Sequence, residues 1–343
     1  MLEAGFTRVG EFHYLHNDID GGRYADPAET AGAIVEAAAN SGIGLTLLPV
    51  FYAHADFGGA SPKPGQRRFL SDRDRFAGLV EASRAKLPAD AVLGVAPHSL
   101  RAVTPEELRD VVALAADGPI HIHAAEQVRE VNDCVAWSGQ RPVAWLLDHA
   151  AVDDHWCLIH ATHLDGEECD RLAASGAVAG LCPVTEANLG DGIFPAKRFL
   201  ATHGQFGIGT DSNILIDAAG ELRGLEYSQR LAHRRRAVLA DESCTSVGER
   251  LFRAASMGGA QALGVVSGLA VGRPADIVAL DLKHVAFAGA RSEDLLDRWI
   301  FAGRSGTIAS VWRGGRRWVT GGRHIAGEAV AKRYRQTLAR VLA

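Results

Sequence analysis

The chain has 343 residues, 47% of them hydrophobic and 22% charged, with a formal net charge of −5 and an isoelectric point near 6.3. Those proportions suit a globular enzyme, and the acidic balance excludes nucleic acid or an anionic membrane surface as the main partner. No apolar run reaches the ~18 residues of a membrane helix, and the start has no charged and apolar signal segment.

Met1–Gly5 reads as the last turn of a helix with a glycine C-cap, followed at once by a strand over Thr7–Tyr14. A helix over Pro27–Asn40 stops at Ser41-Gly42, and Gly44–Tyr52 is a long apolar strand. Then come a helix over Asp72–Lys86 and a strand over Ala91–Pro97. The helix over Pro105–Ala116 opens on Thr104-Pro105-Glu106-Glu107: a cap, a first-turn proline and two acids in order. Pro119–Ala124, Trp156–Ala161, Ala177–Cys182 and Gln205–Thr210 read as further strands, with helices over Arg141–His149 and Glu167–Ser175 between them. Helices over Ala218–His233 and Glu249–Leu263 follow, then a turn from Gly268 to Asp276 that feeds a strand ending at Asp281. Ser305–Arg313 and Arg317–Thr320 form a predicted hairpin across Gly314-Gly315.

Short apolar strands alternating with amphipathic helices are the pattern of βα units on a parallel sheet. The expected fold is an α/β (β/α)8 barrel of the TIM type over residues 1–264, with remnants of a small β-sandwich and a terminal helix over 265–343. Seven barrel strands are visible where a closed barrel has eight. The expectation is therefore that the first βα unit is missing and the chain begins inside a domain. Cys134, Cys157, Cys169, Cys182 and Cys244 include no C-x-x-C pair, which reads as reduced thiols in a cytoplasmic protein. The basic run His233–Arg236 reads as a solvated face.

A parallel barrel places its active site at the C-terminal ends of the strands. The ends here carry His13-Tyr14, His54, His98 through Arg101, His121-Ile122-His123 through Glu126, His160 through His163, and Asp211-Ser212. About half of the 14 histidines lie at these ends. Imidazoles and a carboxylate are the usual ligands of a catalytic zinc that keeps an open position for water. His121 and His123 share a strand face, but only His123 is followed by a carboxylate three residues on, at Glu126. The predicted chemistry is a metal that lowers the pKa of water, with Asp211 as ligand and proton acceptor. Glu126 is expected to move protons to a departing nitrogen, and His160 to polarise the substrate.

His123-x-x-Glu126, then His160, then Gly-Thr-Asp211-Ser, then the Gly-rich run into Asp276, resembles the amidohydrolase superfamily. Several stretches are similar to the formimidoylglutamate deiminases, notably Glu11 through His16, Gly42 through Val50, Pro97 through Thr104 and His121 through Gln127. More specific still are Ala136 through Pro142 and Thr185 through Pro195. The resemblance implies hydrolysis of N-formimino-L-glutamate to N-formyl-L-glutamate and ammonia in histidine degradation, on one divalent metal, usually zinc. It implies His123 and Asp211 as metal ligands, Glu126 and His160 as catalytic, and Tyr14, His98 and Arg101 as substrate contacts. The Arg101 guanidinium offers a rigid fork suited to one of the substrate's two carboxylates. A homodimer is also known among such relatives, though the sequence shows no interface signal.

One departure stands out. The superfamily's first barrel strand carries a His-x-His pair of metal ligands, and no strand here supplies it. With two protein ligands where a catalytic zinc has three or more, the chain is expected to bind metal weakly and turn over slowly. Two other readings stay open: an aminohydrolase acting on a purine, pyrimidine or triazine ring, and a non-catalytic barrel fragment. A neutral ring has no use for Arg101, and the intact His123, Glu126, His160 and Asp211 set argues against lost catalysis.

Overall fold

The computed structural model describes residues 1–212 and 215–342. A short 3-10 turn, Leu2–Ala4, ends on Gly5 in the left-handed region and leads into β1 (Arg8–His13). In chain order follow α1 (Glu29–Ser41), β2 (Gly44–Phe51), α2 (Arg73–Arg84), β3 (Val92–Leu93), β4 (Ala96–Pro97) and α3 (Pro105–Ala113). Next are β5 (Ile120–Ala124), α4 (Val128–Ser138), α5 (Pro142–His149), β6 (Trp156–His160), α6 (Gly166–Ser175) and β7 (Val178–Leu181). Then come α7 (Pro183–Leu189), α8 (Ala196–Ala201), β8 (Gln205–Ile208), α9 (Ala218–His233) and α10 (Val247–Ala262). The chain finishes with β9 (Ile277–Leu280), α11 (Leu295–Phe301), β10 (Ile308–Arg313), β11 (Arg316–Thr320), β12 (Arg323–His324) and α12 (Gly327–Val341).

The strands β1 to β8 pair in parallel and in sequence order. Single bridges Val95 to Ile120 and Ser99 to His123 join the two halves of the wall. Among the described residues β1 pairs only with β2 and β8 only with β7, so seven strand positions line the barrel. The expected strand Ala91–Pro97 occupies one of those positions but is split at Gly94. A Cβ there would stand 2.2 Å from the Pro119 carbonyl oxygen, so the two backbones approach too closely for any side chain.

Alternation along β2 sorts its side chains. Leu45, Leu47 and Phe51 join the main core beneath the helices, together with Phe76, Leu79 and Leu108. Leu48 and Val50 pack inside the barrel with Ala96 and Phe12. Each fully buried side chain of this size contributes roughly 1.5–3 kcal/mol. The inward hydroxyl of Thr46 donates to the Leu263 carbonyl at 2.8 Å, and His121 Nε2 lies 2.7 Å from the Ala262 carbonyl. The end of α10 thus closes the N-terminal floor of the barrel, leaving the other end for chemistry.

Helix α10 lies directly against β8, and glycines make this possible. A Cβ on Gly258 would be 2.1 Å from the Phe206 carbonyl oxygen, whereas one on Gly259 meets nothing within 4 Å. Gly258→Ala is therefore expected to cost roughly 3 kcal/mol, because backbone must move to admit the methyl. Gly259→Ala is expected to be neutral or slightly stabilising, since alanine is the better helix former. Thermal melts of the two variants check this; equal melting temperatures would contradict it.

The last strands form an antiparallel four-stranded sheet in the order β12-β11-β10-β9. Its predicted hairpin is present, with Gly314 and Gly315 both at positive φ as a tight hairpin turn requires. Leu2, Ile308, Val311 and Val319 give this sheet a small core of its own. No described helix is long and apolar enough to cross a membrane.

Candidate active site

The C-terminal ends of the strands bring most of the expected residues together. His123 and His160 stack with ring centroids 5.5 Å apart, and His98 lies 4.9 Å from His123. His160 Nε2 stands 3.8 Å from Glu126 Oε1 and 3.9 Å from Asp211 Oδ2, distances too long for hydrogen bonds. The backbone is strained here. Ala125, His160, Ala161 and Asp211 all have positive φ, between 47° and 68°. Such residues cost about 1–3 kcal/mol each and cluster where geometry serves chemistry.

Neighbouring acceptors fix the two imidazole tautomers. His123 Nδ1 lies 3.0 Å from the His98 carbonyl, which can only accept, so Nδ1 carries the proton and Nε2 keeps its lone pair. His160 Nδ1 faces Glu186 Oε1 at 3.3 Å, and its buried Nε2 has no hydrogen-bond partner among the described residues. Burial pushes His123 well below its usual pKa, helped by His98 and His160. For His160 burial also disfavours the charged ring, but the Glu186 hydrogen bond and the charges of Glu126, Glu186 and Asp211 outweigh it and raise the pKa. Burial raises the Glu126 carboxyl, with Asp191 and Glu130 adding to the effect and His160 opposing it.

Arg101 sits at the edge of this group. Among the described residues its guanidinium forms no ion pair, and its Nε is buried without a partner. Burial and then the Arg101 charge hold His98 down to about 3, so that ring is neutral. Tyr14 packs edge-on against Phe69 at 5.0 Å and lies 6.2 Å from His98, which also contacts Tyr52 at 4.7 Å. Tyr14, His98 and Arg101 therefore share one wall of the mouth.

Other strand-end histidines are structural. His54 Nε2 meets Glu107 at 2.8 Å, within the capping box that starts α3. His13 bonds Thr30 at 3.0 Å, His163 faces the Asp191 carbonyl at 2.8 Å, and His121 is spent on the barrel floor. Sequence reasoning missed three buried carboxylates around the site. Glu186 orients His160; Glu130 holds the loop of Glu126; Asp191 accepts from Gln127 and keeps its Oδ2 buried and unpartnered.

The donor set suits a divalent cation in kind but is short in number: among the described residues His123 and Asp211 could ligate it, where a catalytic zinc usually has three protein ligands. Carboxylates outnumber the cations here, and His123 Nε2 keeps its lone pair with no hydrogen bond to a described residue. The one compact trio of donor atoms among those residues, Asp153, Asp154 and His155, is exposed on the loop before β6, at the opposite end of the barrel.

Behind the site lies Glu221, fully buried, with Oε2 accepting from the Val184 amide at 2.9 Å and Oε1 unpartnered. Burial, then the charges of Glu186, Asp217 and Asp211, push its pKa to about 8. The native state thus keeps a proton that the unfolded chain releases near the ordinary glutamate value of 4.5. Stability is complete below that value and is lost as pH rises through about 8. Glu221→Gln keeps the acceptor without the charge, so its melting temperature should gain on the parent as pH climbs from 5 to 9. A gap that stays constant over this range would refute the assignment.

The sequence pattern of the amidohydrolase family matches residues 1–318. Formimidoylglutamate deiminase of Pseudomonas aeruginosa is 51% identical over 345 aligned positions, covering 100% of this chain and 76% of that protein. A 5-methylthioadenosine/S-adenosylhomocysteine deaminase of Natronomonas pharaonis is 30% identical, covering 92% of this chain and 70% of its own. Among solved structures, an amidohydrolase from Brucella melitensis superposes with a TM-score of 0.97 at 56% identity, covering 100% of this chain and 76% of that one. An adenosine deaminase from Xanthomonas campestris with bound zinc reaches 0.78 at 25% identity, covering 99% of this chain and 73% of that one. This chain is a member of the amidohydrolase family.

Proposed function

We propose that this chain is an iminohydrolase that converts N-formimino-L-glutamate and water into N-formyl-L-glutamate and ammonia, a step of histidine degradation. The observation that carries the substrate is Arg101, a guanidinium without an ion pair among the described residues, on the wall shared with His98 and Tyr14. It suits a substrate with two carboxylates, and a neutral purine or triazine ring would leave it unsatisfied. The 51% identity with a formimidoylglutamate deiminase supports the same reading.

His123 Nε2 and Asp211 would hold a divalent metal, zinc being the ion named with the Xanthomonas campestris relative. Such an ion supplies Lewis acidity and makes water acidic enough to react near neutral pH. The protein's own groups do the rest. Asp211 accepts a proton from water as its oxygen bonds to the formimino carbon. His160, oriented by Glu186, donates towards the water-derived oxygen as the tetrahedral centre forms. Glu126, whose pKa burial raises, passes a proton to the nitrogen, and the proton held by Asp211 follows it; the hydroxyl proton returns to Glu126 as the carbon–nitrogen bond breaks, leaving the formyl carbonyl and ammonia. Arg101, with Tyr14 and His98, anchors the glutamate end.

Ammonia release from N-formimino-L-glutamate, measured beside a panel of purine nucleosides and triazines, tests this reading. Turnover confined to the formimino compound is expected. Faster release from a ring substrate would replace the proposal with the ring-deaminase reading.

A further inference from the structure

The loop that presents Glu126 is held from below by a side chain that touches no reacting atom. Glu130 lies in the first turn of α4, is 5% exposed, and points back towards β5 rather than out to solvent. Its Oε1 accepts from the Ala125 amide at 3.1 Å and its Oε2 from the Glu126 amide at 3.0 Å. A glutamate at this helix position ordinarily reaches back to the N-cap amide. Here the N-cap is Gln127, which makes no side-chain cap bond, and the carboxylate reaches one and two residues further back. The residue so gripped, Ala125, is in the left-handed region at φ 52°, a conformation that needs support from its surroundings.

We infer that Glu130 is a positioning residue for the reaction, a two-oxygen clamp that holds the Ala125–Glu126 turn and thereby aims the Glu126 carboxyl at His160. The geometry requires a carboxylate. Two backbone N–H groups converge on two oxygens, and an amide at this position would offer one acceptor and set an N–H against an N–H. Without the clamp the strained turn relaxes, and Glu126 loses its station 3.8 Å from His160 Nε2. The contacts that anchor substrate, at Arg101, His98 and Tyr14, lie on other strand ends; Glu130 makes no hydrogen bond to any of them, and the charge it shares with Arg101 is kept in the Glu130→Asp variant below. Glu130 therefore acts on the chemical step and spares binding.

The inference rests on the role proposed above for Glu126, so its test has one arm that needs no turnover. Hydrogen exchange of the Ala125 and Glu126 amides should be slow in the parent chain and lose protection in Glu130→Gln. Unchanged protection overturns the clamp whatever the activity. In the turnover arm, Glu130→Gln should lower kcat about 10–100-fold, as losses of such supporting contacts do, with KM within about threefold. Combined with Glu126→Gln it should add nothing, because a clamp has no further effect once the group it aims is gone. Multiplying losses, or a raised KM with unchanged kcat, would assign Glu130 a purely structural part and overturn the inference. Glu130→Asp guards against a variant that does not fold: it keeps the charge and lacks one methylene of reach. It must show the same selective loss of kcat, and parental turnover in it would be fatal to the clamp. Should Glu126→Gln itself retain kcat, the role of Glu126 fails while the exchange result still decides the clamp.

Discussion

Arg101→Met is expected to lower kcat/KM for N-formimino-L-glutamate about 1000-fold, with most of the change in KM. A bidentate guanidinium–carboxylate pair makes two charge-assisted hydrogen bonds of roughly 1.5–3 kcal/mol each, and each ~1.4 kcal/mol is tenfold. The anchored carboxylate lies remote from the reacting carbon, so the lost interaction is common to ground and transition states. Lysine keeps the charge without the planar fork, and Arg101→Lys should fall between parent and methionine variant. Stability separates this loss from unfolding. The Arg101 guanidinium has no ion pair among the described residues, though its charge favours the ionised Glu126 and Glu130 carboxyls, so Arg101→Met should lower the melting temperature only modestly and leave the chain folded. Steady-state kinetics and a thermal melt on the same preparations check both halves. A kcat/KM within about threefold of the parent would remove Arg101 from the substrate site.

What the sequence made legible followed from periodicity and order along the chain. Apolar runs marked the strands, Thr104 through Glu107 announced α3, and paired glycines announced the β10–β11 hairpin. His123 and Glu126 could be chosen over His121 because a strand exit lets a nearby carboxylate turn back over the site, and the His121 ring indeed faces Ala262. Depth was harder to read. His13, His54 and His163 occupy strand ends just as His160 does, yet each is tied to a neighbouring group through contacts that pattern does not encode. Buried carboxylates were the main omission. Glu130 and Glu221 sit in helices, where a glutamate normally reads as a solvated face, and Glu186 lies in a motif noticed for its likeness alone. Their roles come from tertiary approach: Glu130 to the amides two strand-end residues offer, Glu186 to an imidazole 26 positions away.

These carboxylates change how the site is understood. Glu126, Glu130, Glu186, Asp191 and Asp211 gather around the ends of β5, β6, β7 and β8, opposed mainly by His160 and Arg101. Like charges at such density repel one another and favour a cation between them. A divalent metal and a cationic formimino group both answer that demand, whereas a neutral ring answers it less well.

Asp211→Asn should be the most damaging single change, reducing turnover at least about 1000-fold and bound metal with it, because one side chain serves as both ligand and proton acceptor in the proposed chemistry. The substitution is nearly isosteric. Asparagine also tolerates the left-handed backbone that Asp211 adopts at φ 47°, so the turn after β8 keeps its shape. What disappears is the negative charge facing His160 Nε2 at 3.9 Å. His121→Gln is the matched control. It alters the same face of β5 two residues before His123, and glutamine can still donate to the Ala262 carbonyl. Metal analysis after dialysis should find Asp211→Asn depleted and His121→Gln at the parent level, with turnover following metal. If Asp211→Asn kept parental metal and a kcat within tenfold of the parent, the ligand and the proton acceptor would both have to be sought elsewhere. Glu126 and Asp191 would then be the groups to examine, since Glu130 is held by the Ala125 and Glu126 amides and Glu186 by the Cys182 amide and His160.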